Sequence, residues 1–248
     1  MLIHELIKEK RKVLHFTLID PDRQTSEELK SRVKRCEQVG TDAIMVGGSS
    51  SIRQQLLDET VKTIKNAVDL PVILFPNSAA TVSKYADYIF FMSLLNADDP
   101  RFLIKEQVRA APFIERTQLC PISMAYIVIS TSRQPTAIER RVKLDIIGDE
   151  DDKKASDYAL AAQYLGMSCV YLEAGSGADR PVPLHIIRAV KNKIHVPLIV
   201  GGGIRRAGQA KNIAEAGADI IVTGTIVEQN ILRLKTIINV IKRSQFKK

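Results

Sequence analysis

The sequence predicts one α/β domain over residues 1–248, a single (β/α)8 TIM-type barrel with an extra N-terminal helix. Three observations carry that prediction. Apolar runs of strand length alternate with helical patterns eight times along the chain. Helix-closing glycines stand before three of the strands, at Gly40, Gly166 and Gly217, so the βα unit repeats itself. The length of 248 residues, 45% of them hydrophobic, matches the roughly 250 residues of a one-domain barrel. Repeated units of this kind fit a closed barrel better than an open doubly wound sheet.

The opening segment MLIHELIKEKRK is a charged amphipathic helix without the apolar core of a signal peptide. No apolar run approaches the roughly 20 residues that span a bilayer, so a cytoplasmic protein is expected. Strand one, residues 13–19, stops at Asp20-Pro21-Asp22, where proline ends regular structure. Ser26 with Glu27 and Glu28 starts a helix that Gly40 closes, and strand two, residues 42–46, opens into Gly47-Gly48-Ser49-Ser50. A helix over 52–68, strand three at 72–75, a short helix at 79–85 and strand four at 88–92 continue the rhythm. Asp98-Asp99-Pro100 begins a helix over 98–111, and strand five, 122–129, is a buried run. Residues 130–152 form the one long irregular stretch, of the length that makes lids or mobile segments. A helix at 153–165, stopped by Gly166, leads to strand six at 169–172; strands seven and eight lie in VPLIVGGGI (196–204) and ADIIVTGT (218–225).

Cys36, Cys120 and Cys169 are odd in number and widely spaced, which argues against a disulfide framework or a zinc site. The net charge of +8 admits nucleic acid, an anionic membrane surface or a phosphorylated substrate as partners. The basic residues are dispersed, there is no Trp, and few aromatics interleave with them, so no nucleic-acid partner is expected and membrane contact is at most peripheral.

In a barrel the chemistry sits at the C-terminal strand ends. Those ends carry Asp20 and Asp22, Ser49, Asn77 and Ser78, Asn96, and Glu173. In CVYLEAGSGAD (169–179) a buried run ends on Glu173 and breaks into Gly175-Ser176-Gly177, a loop of accessible backbone N–H groups suited to an anion. The strand-seven and strand-eight ends repeat the design, so three loops converge on one phosphate. Asp20 and Ser49 at adjacent ends suit Mg²⁺ completed by water and phosphate oxygens; alternatively Asp20 only caps its turn. Glu173, desolvated at the end of an apolar run, suits a general base, the alternative being a structural ion pair with Arg205. His4, His15, His185 and His195 lack a Ser or Cys partner at a matching strand end and read as structural.

HFTLIDPDR (15–23), TDAIMVGGSS (41–50), YALAAQYLGM (158–167), YLEAGSGA (171–178), IVGGGIR (199–205) and VTGT (222–225) together resemble the geranylgeranylglyceryl phosphate synthases. The match runs in order over nearly the whole chain, and LIDPD without a lysine two residues before the Asp resembles the second of the family's two large groups. The resemblance implies a barrel prenyltransferase that couples sn-glycerol 1-phosphate to geranylgeranyl diphosphate, with Mg²⁺ on Asp20 and Ser49. It implies glycerol phosphate contacts from Tyr171, Leu172, Glu173, Ala174, Gly175, Ser176, Gly177, Gly202, Gly203, Gly224 and Thr225. Glu173 is then the base, with Tyr171 and Tyr126 shaping the site. Ile73, Leu74, Phe75, Phe90, Phe91 and Met92 serve either as a prenyl channel or as plain strand core. A homo-oligomer, dimer or hexamer, is also implied. Residues 130–150 are the least family-like stretch, which leaves Arg140 and Arg141 without a role.

Two other readings stand beside this one. A sugar-phosphate isomerase or aldolase needs a Schiff-base lysine or an acid/base pair at opposite strand ends, and no strand end carries a lysine. A non-catalytic basic barrel on an anionic surface predicts salt-sensitive binding and no reaction.

Overall fold

The computed structural model describes residues 2–10, 12–47 and 52–244. Eight strands close into a barrel in sequence order: β1 (Leu14–Ile19), β2 (Ala43–Gly47), β3 (Val72–Phe75), β4 (Tyr88–Leu94), β5 (Cys120–Val128), β6 (Cys169–Glu173), β7 (Leu198–Gly201) and β8 (Ile220–Thr223). Every neighbour is parallel, and β8 pairs back onto β1 with Leu14 opposite Ile220. Around them lie α1 (Leu2–Lys10), α2 (Ser26–Gln38), α3 (Gln54–Lys65), α4 (Glu106–Thr117), α5 (Ala137–Arg141), α6 (Asp152–Tyr164), α7 (Leu184–Lys193), α8 (Ala207–Glu215), α9 (Thr225–Gln229) and α10 (Ile231–Arg243).

The two-residue period of a strand divides the apolar side chains into two cores. Phe16, Met45, Ile73, Phe90, Met124 and Tyr171 fill the barrel, and Ile3 of α1 packs with them, so the extra helix plugs the N-terminal end. Ile44, Leu74, Ile127, Leu172 and Val200 point outward against Val33, Ile64, Ile187 and Ile238 of the helices. Acids at strand entrances staple the barrel. Asp42, Asp87 and Asp219 accept the backbone N–H of His15, Val72 and Leu198 on neighbouring strands, and each also pairs with a lysine of a surrounding helix, Lys242, Lys65 and Lys191.

His15 sits wholly buried outside the barrel wall, its ring nitrogens each 2.9 Å from the hydroxyls of Thr41 and Thr223. Burial, aided by the charge of Lys242, pushes its pKa down to about 3. The unfolded chain takes up this proton near pH 6.5 and the folded chain does not, so stability is lost as pH falls from about 6.5 toward 3. His15→Gln is expected to flatten that arm of the Tm–pH curve, which carries on the order of 4 kcal/mol at full titration; melts from pH 7 to pH 4 check it.

Two expected elements differ. Residues 79–85 form no helix. The Thr81 hydroxyl donates to the Ser78 carbonyl, the Ser83 hydroxyl to Asp58 of α3, and the Ala79 N–H to Glu106 of α4, so local side-chain bonds and anchors to two neighbours replace a helical ladder. The helix expected over 98–111 begins instead as a π-turn at Arg101–Lys105 and then runs to Thr117 as α4. Its frame is held from the barrel side, where the Ser93 hydroxyl donates to the Leu103 carbonyl and the Gln107 amide to the carbonyls of Met92 and Phe102. Residues 130–152, expected to be irregular throughout, carry the short helix α5 within them and are tied down. Thr136 and Glu139 form a capping box for α5, Leu144 bridges Ala97, and Arg180 and Asp179 bond the segment to the β6 loop.

Candidate active site

The C-terminal strand ends open into a cavity of about 240 Å³. Strand alternation turns Tyr171 and Glu173 of β6 into it and sends Leu172 and Ala174 the other way. Leu172 and Ala174, expected at the phosphate, are therefore corrected to the shell between barrel and helices, both fully buried there. The Ala174 N–H is also spent on the Gly201 carbonyl.

Glu173 is buried, and its Oε1 accepts the Gly175 N–H at 2.6 Å. Burial raises its pKa above the usual glutamate range, with the Gly175 N–H and the Tyr171 hydroxyl partly offsetting the shift. Arg205 does not pair with it. That guanidinium donates to the carbonyls of Gly177, Ala178 and Asp179 and so ties the β7 end to the β6 loop. Tyr171 stacks edge-on against Tyr126 at 5.4 Å and tilts against Phe75 at 5.7 Å, an aromatic floor beneath the carboxylate.

Gly175, Ser176, Gly177, Gly202, Gly203, Gly224 and Thr225 all border the cavity, so the three glycine loops do meet in one place. Gly202 and Gly203 hold φ of +83° and +67°, and a Cβ on Gly202 would fall 2.3 Å from Glu173 Oε1 and 2.7 Å from the Gly175 nitrogen. The Gly175 N–H belongs to Glu173 and is withdrawn from the expected set of anion donors.

Across the mouth, Asp20 ends the β1 run. Burial first, then the neighbouring carboxylate of Asp22, raise its pKa to about 7. Arg23 lies between Asp20, at 3.2 Å, and Glu228, at 3.4 Å, and the Asp22 carboxylate stands beside Asp20. Carboxylate oxygens at the end of a barrel strand are donors of the kind a hard cation takes. Among the described residues no set of three or more His, Cys, Asp or Glu gathers as a ready-made metal cluster, so an ion here would draw further ligands from water and substrate. Ser49, the second expected ligand, lies outside the described residues.

The cavity continues from Phe75 into an apolar groove lined by Val82, Ile89, Phe91, Phe102, Ala110 and Ile114. Residues 76–87 carry no helix, so the outer face of β4 meets this connection, the π-turn and α4 there. Of the residues expected in a channel, Phe75, Phe90, Phe91 and Met92 line it, whereas Ile73 stays in the barrel core and Leu74 in the outer shell. Sequence reasoning missed Val82, Ala110 and Ile114; the hydroxyl residues at 81 and 83 were the available sign that no helix would close this side. From the covering segment, Ile138 and Arg141 also reach the cavity, and Thr136 packs on Gly175 so tightly that a Cβ there would lie 2.5 Å from its methyl.

Residues 4–243 match the PcrB family. The geranylgeranylglyceryl phosphate synthase of Pyrococcus furiosus is 51% identical over 227 residues, covering 91% of this chain and 88% of its own. That of Thermoplasma volcanium is 46% identical over 243 residues, covering 97% and 95%. Among solved structures, (S)-3-O-geranylgeranylglyceryl phosphate synthase from Thermoplasma acidophilum, in complex with its substrate sn-glycerol-1-phosphate, superposes with a TM-score of 0.93 at 41% identity over 98% of this chain and 99% of that one. Fold and sequence thus agree along nearly the whole length, and the chain belongs to the PcrB family.

Proposed function

We propose that the protein is a geranylgeranylglyceryl phosphate synthase, a prenyltransferase that joins the sn-3 hydroxyl of sn-glycerol 1-phosphate to C1 of geranylgeranyl diphosphate in membrane ether-lipid biosynthesis. The observation that carries this reading is one cavity in which a buried glutamate stands between a cradle of glycine loops and a long apolar groove. A phosphorylated triol and a prenyl chain need those two surfaces, and the reacting atoms meet where they join.

In this reading the loops at Gly177, Gly202, Gly203 and Gly224 hold the glycerol phosphate by backbone N–H groups, and Thr225 adds its hydroxyl. The groove from Phe75 to Ile114 takes the prenyl chain and leaves its diphosphate at the Asp20 side of the mouth. Asp20, with its neighbour Asp22 and with Ser49 from the end of the second strand, would hold Mg²⁺, which would supply charge to neutralise a departing diphosphate. The glycerol oxygen bonds to prenyl C1 as the C1–O bond to diphosphate breaks, and Glu173 takes the hydroxyl proton. Tyr171 and the Gly175 N–H keep that carboxylate aimed. Tyr126, Tyr171 and Phe75 exclude water from an allylic centre that water would otherwise capture.

Among the described residues no lysine lines the cavity, which disfavours Schiff-base aldolase chemistry. None of the described helices is long and apolar enough to cross a membrane; a cytoplasmic homo-oligomer, dimer or hexamer, completes the proposal.

Gly202→Ala is expected to weaken glycerol phosphate binding at least about 100-fold, because the added Cβ meets Glu173 and the Gly175 backbone at a φ that L-residues avoid. Calorimetric titration checks it, and unchanged affinity removes this loop from the site. The function itself is tested by incubating the protein with geranylgeranyl diphosphate, sn-glycerol 1-phosphate and Mg²⁺ and extracting into organic solvent. A phosphorylated prenyl glyceryl ether is expected, and no extractable product overturns the reading.

A further inference from the structure

Ile104 and Val108 stand one helical turn apart, 55% and 64% exposed, where the π-turn passes into α4. Beside them on the same outer face run Arg101, Lys105, Arg109 and Arg116, all exposed. Buried Glu106 takes Arg101 at 2.8 Å and Arg109 at 3.3 Å, so this face carries four cations against the carboxylates of Glu106 and Glu115. The inner face of the same segment is the groove wall, through Phe102, Ala110 and Ile114. On the opposite wall, three residues beyond Val82, half-exposed Tyr85 carries the ammonium groups of Lys62 and Lys84 at 4.0 and 5.4 Å from its ring centroid. The groove is thus rimmed on both sides by an apolar or aromatic group set among cations.

We propose that this rim, the outer face of α4 with Ile104 and Val108 at its centre, docks on an anionic lipid bilayer and presents the groove to the acyl layer. Apolar side chains at the headgroup boundary with basic residues around them are the chemistry by which a helix lies on such a surface. A second copy fits less well, because an isologous contact would set one strip of cations against another. Anionic headgroups neutralise the same strip. The docking rests on the proposed groove occupant for its purpose, since a prenyl diphosphate and its ether product both partition into bilayers, but binding to the bilayer needs neither.

The test is sedimentation of the full chain, without substrate, with vesicles of phosphatidylglycerol and phosphatidylcholine or of phosphatidylcholine alone at 0.1 M salt. Binding to the anionic vesicles is expected, together with its loss on raising the salt to 1 M. Lys105→Gln with Arg116→Gln should weaken it by about thirtyfold, from a roughly fivefold loss per basic residue. Ile104→Glu with Val108→Glu should weaken it at least about tenfold while turnover of a water-soluble short-chain prenyl diphosphate stays as in the wild type. Absence of vesicle binding by the wild type, or equal binding by both double variants, overturns the docking while leaving the synthase reading intact. A smaller particle mass for the Ile104→Glu, Val108→Glu variant, read by light scattering, also overturns it, since the face would then join copies of the chain. Failure of the wild type to make the ether while still binding vesicles would instead count against the synthase reading alone.

Discussion

Glu173→Gln is expected to cut turnover by about 10² to 10⁴ while changing substrate binding only a few-fold. Glutamine keeps the shape of the side chain and an oxygen for the Gly175 N–H, which now lies 2.6 Å from Glu173 Oε1, so the loop it organises should persist. What it loses is the ability to take the hydroxyl proton. The pH dependence separates this role from a structural one. Burial raises the Glu173 pKa, so the carboxylate is protonated, and turnover falls, at a higher pH than for an exposed glutamate. The wild-type rate should therefore climb with pH through that raised value, and the residual rate of the variant should lack that limb. The fold should not suffer, because a raised pKa marks a carboxylate whose charge the native state disfavours: its stabilising effect is present at low pH and lost as pH rises. Thermal melts at pH 8 should show the variant at or above the wild-type Tm. Full activity in Glu173→Gln, or loss of folding, removes the base assignment.

Asp20→Asn should separate activity from stability even more sharply. Turnover that depends on Mg²⁺ should be lost, while sn-glycerol 1-phosphate, which the proposal assigns to the glycine loops on the far side of the mouth, should bind as before. Without Mg²⁺ the variant should melt no lower than the wild type, and about 2–4 °C higher if relief of the crowded carboxylates contributes about 1 kcal/mol. The reason is local: the carboxylates of Asp22 and Glu228 both raise the Asp20 pKa, and the Arg23 guanidinium only partly offsets them. Such strain in the unliganded protein is the kind a functional site retains. Retained turnover in Asp20→Asn would contradict the metal assignment.

The barrel was legible because each βα unit repeats the same local instructions. Gly40 and Gly217 end helices, and Asp42 and Asp219 two residues later clamp the neighbouring strand, so the signal for closure is written at several positions at once. The two-residue alternation in CVYLE was equally plain and places Glu173 inside; applied one step further it also turns the side chains of Leu172 and Ala174 away from the cavity, a distinction that motif resemblance alone blurs. The groove was harder to see. Its walls come from residues about 30 positions apart, Val82 and Ala110 to Ile114, and it depends on a helix that is absent. Thr81 and Ser83 form that break by bonding to the local backbone and to α3, contacts that no periodicity displays. Residues 130–152 show the same limit. Their order comes from bonds to Asp179 and Arg180, nearly fifty residues away.

The claim on which everything else depends is that a hydroxyl oxygen of glycerol phosphate attacks prenyl C1 beside Glu173. Labelling that sn-3 hydroxyl with ¹⁸O and examining the products by mass spectrometry tests it directly. The account predicts that the extracted ether carries the label and that the released diphosphate carries none. An unlabelled ether, or label in the diphosphate, would contradict it.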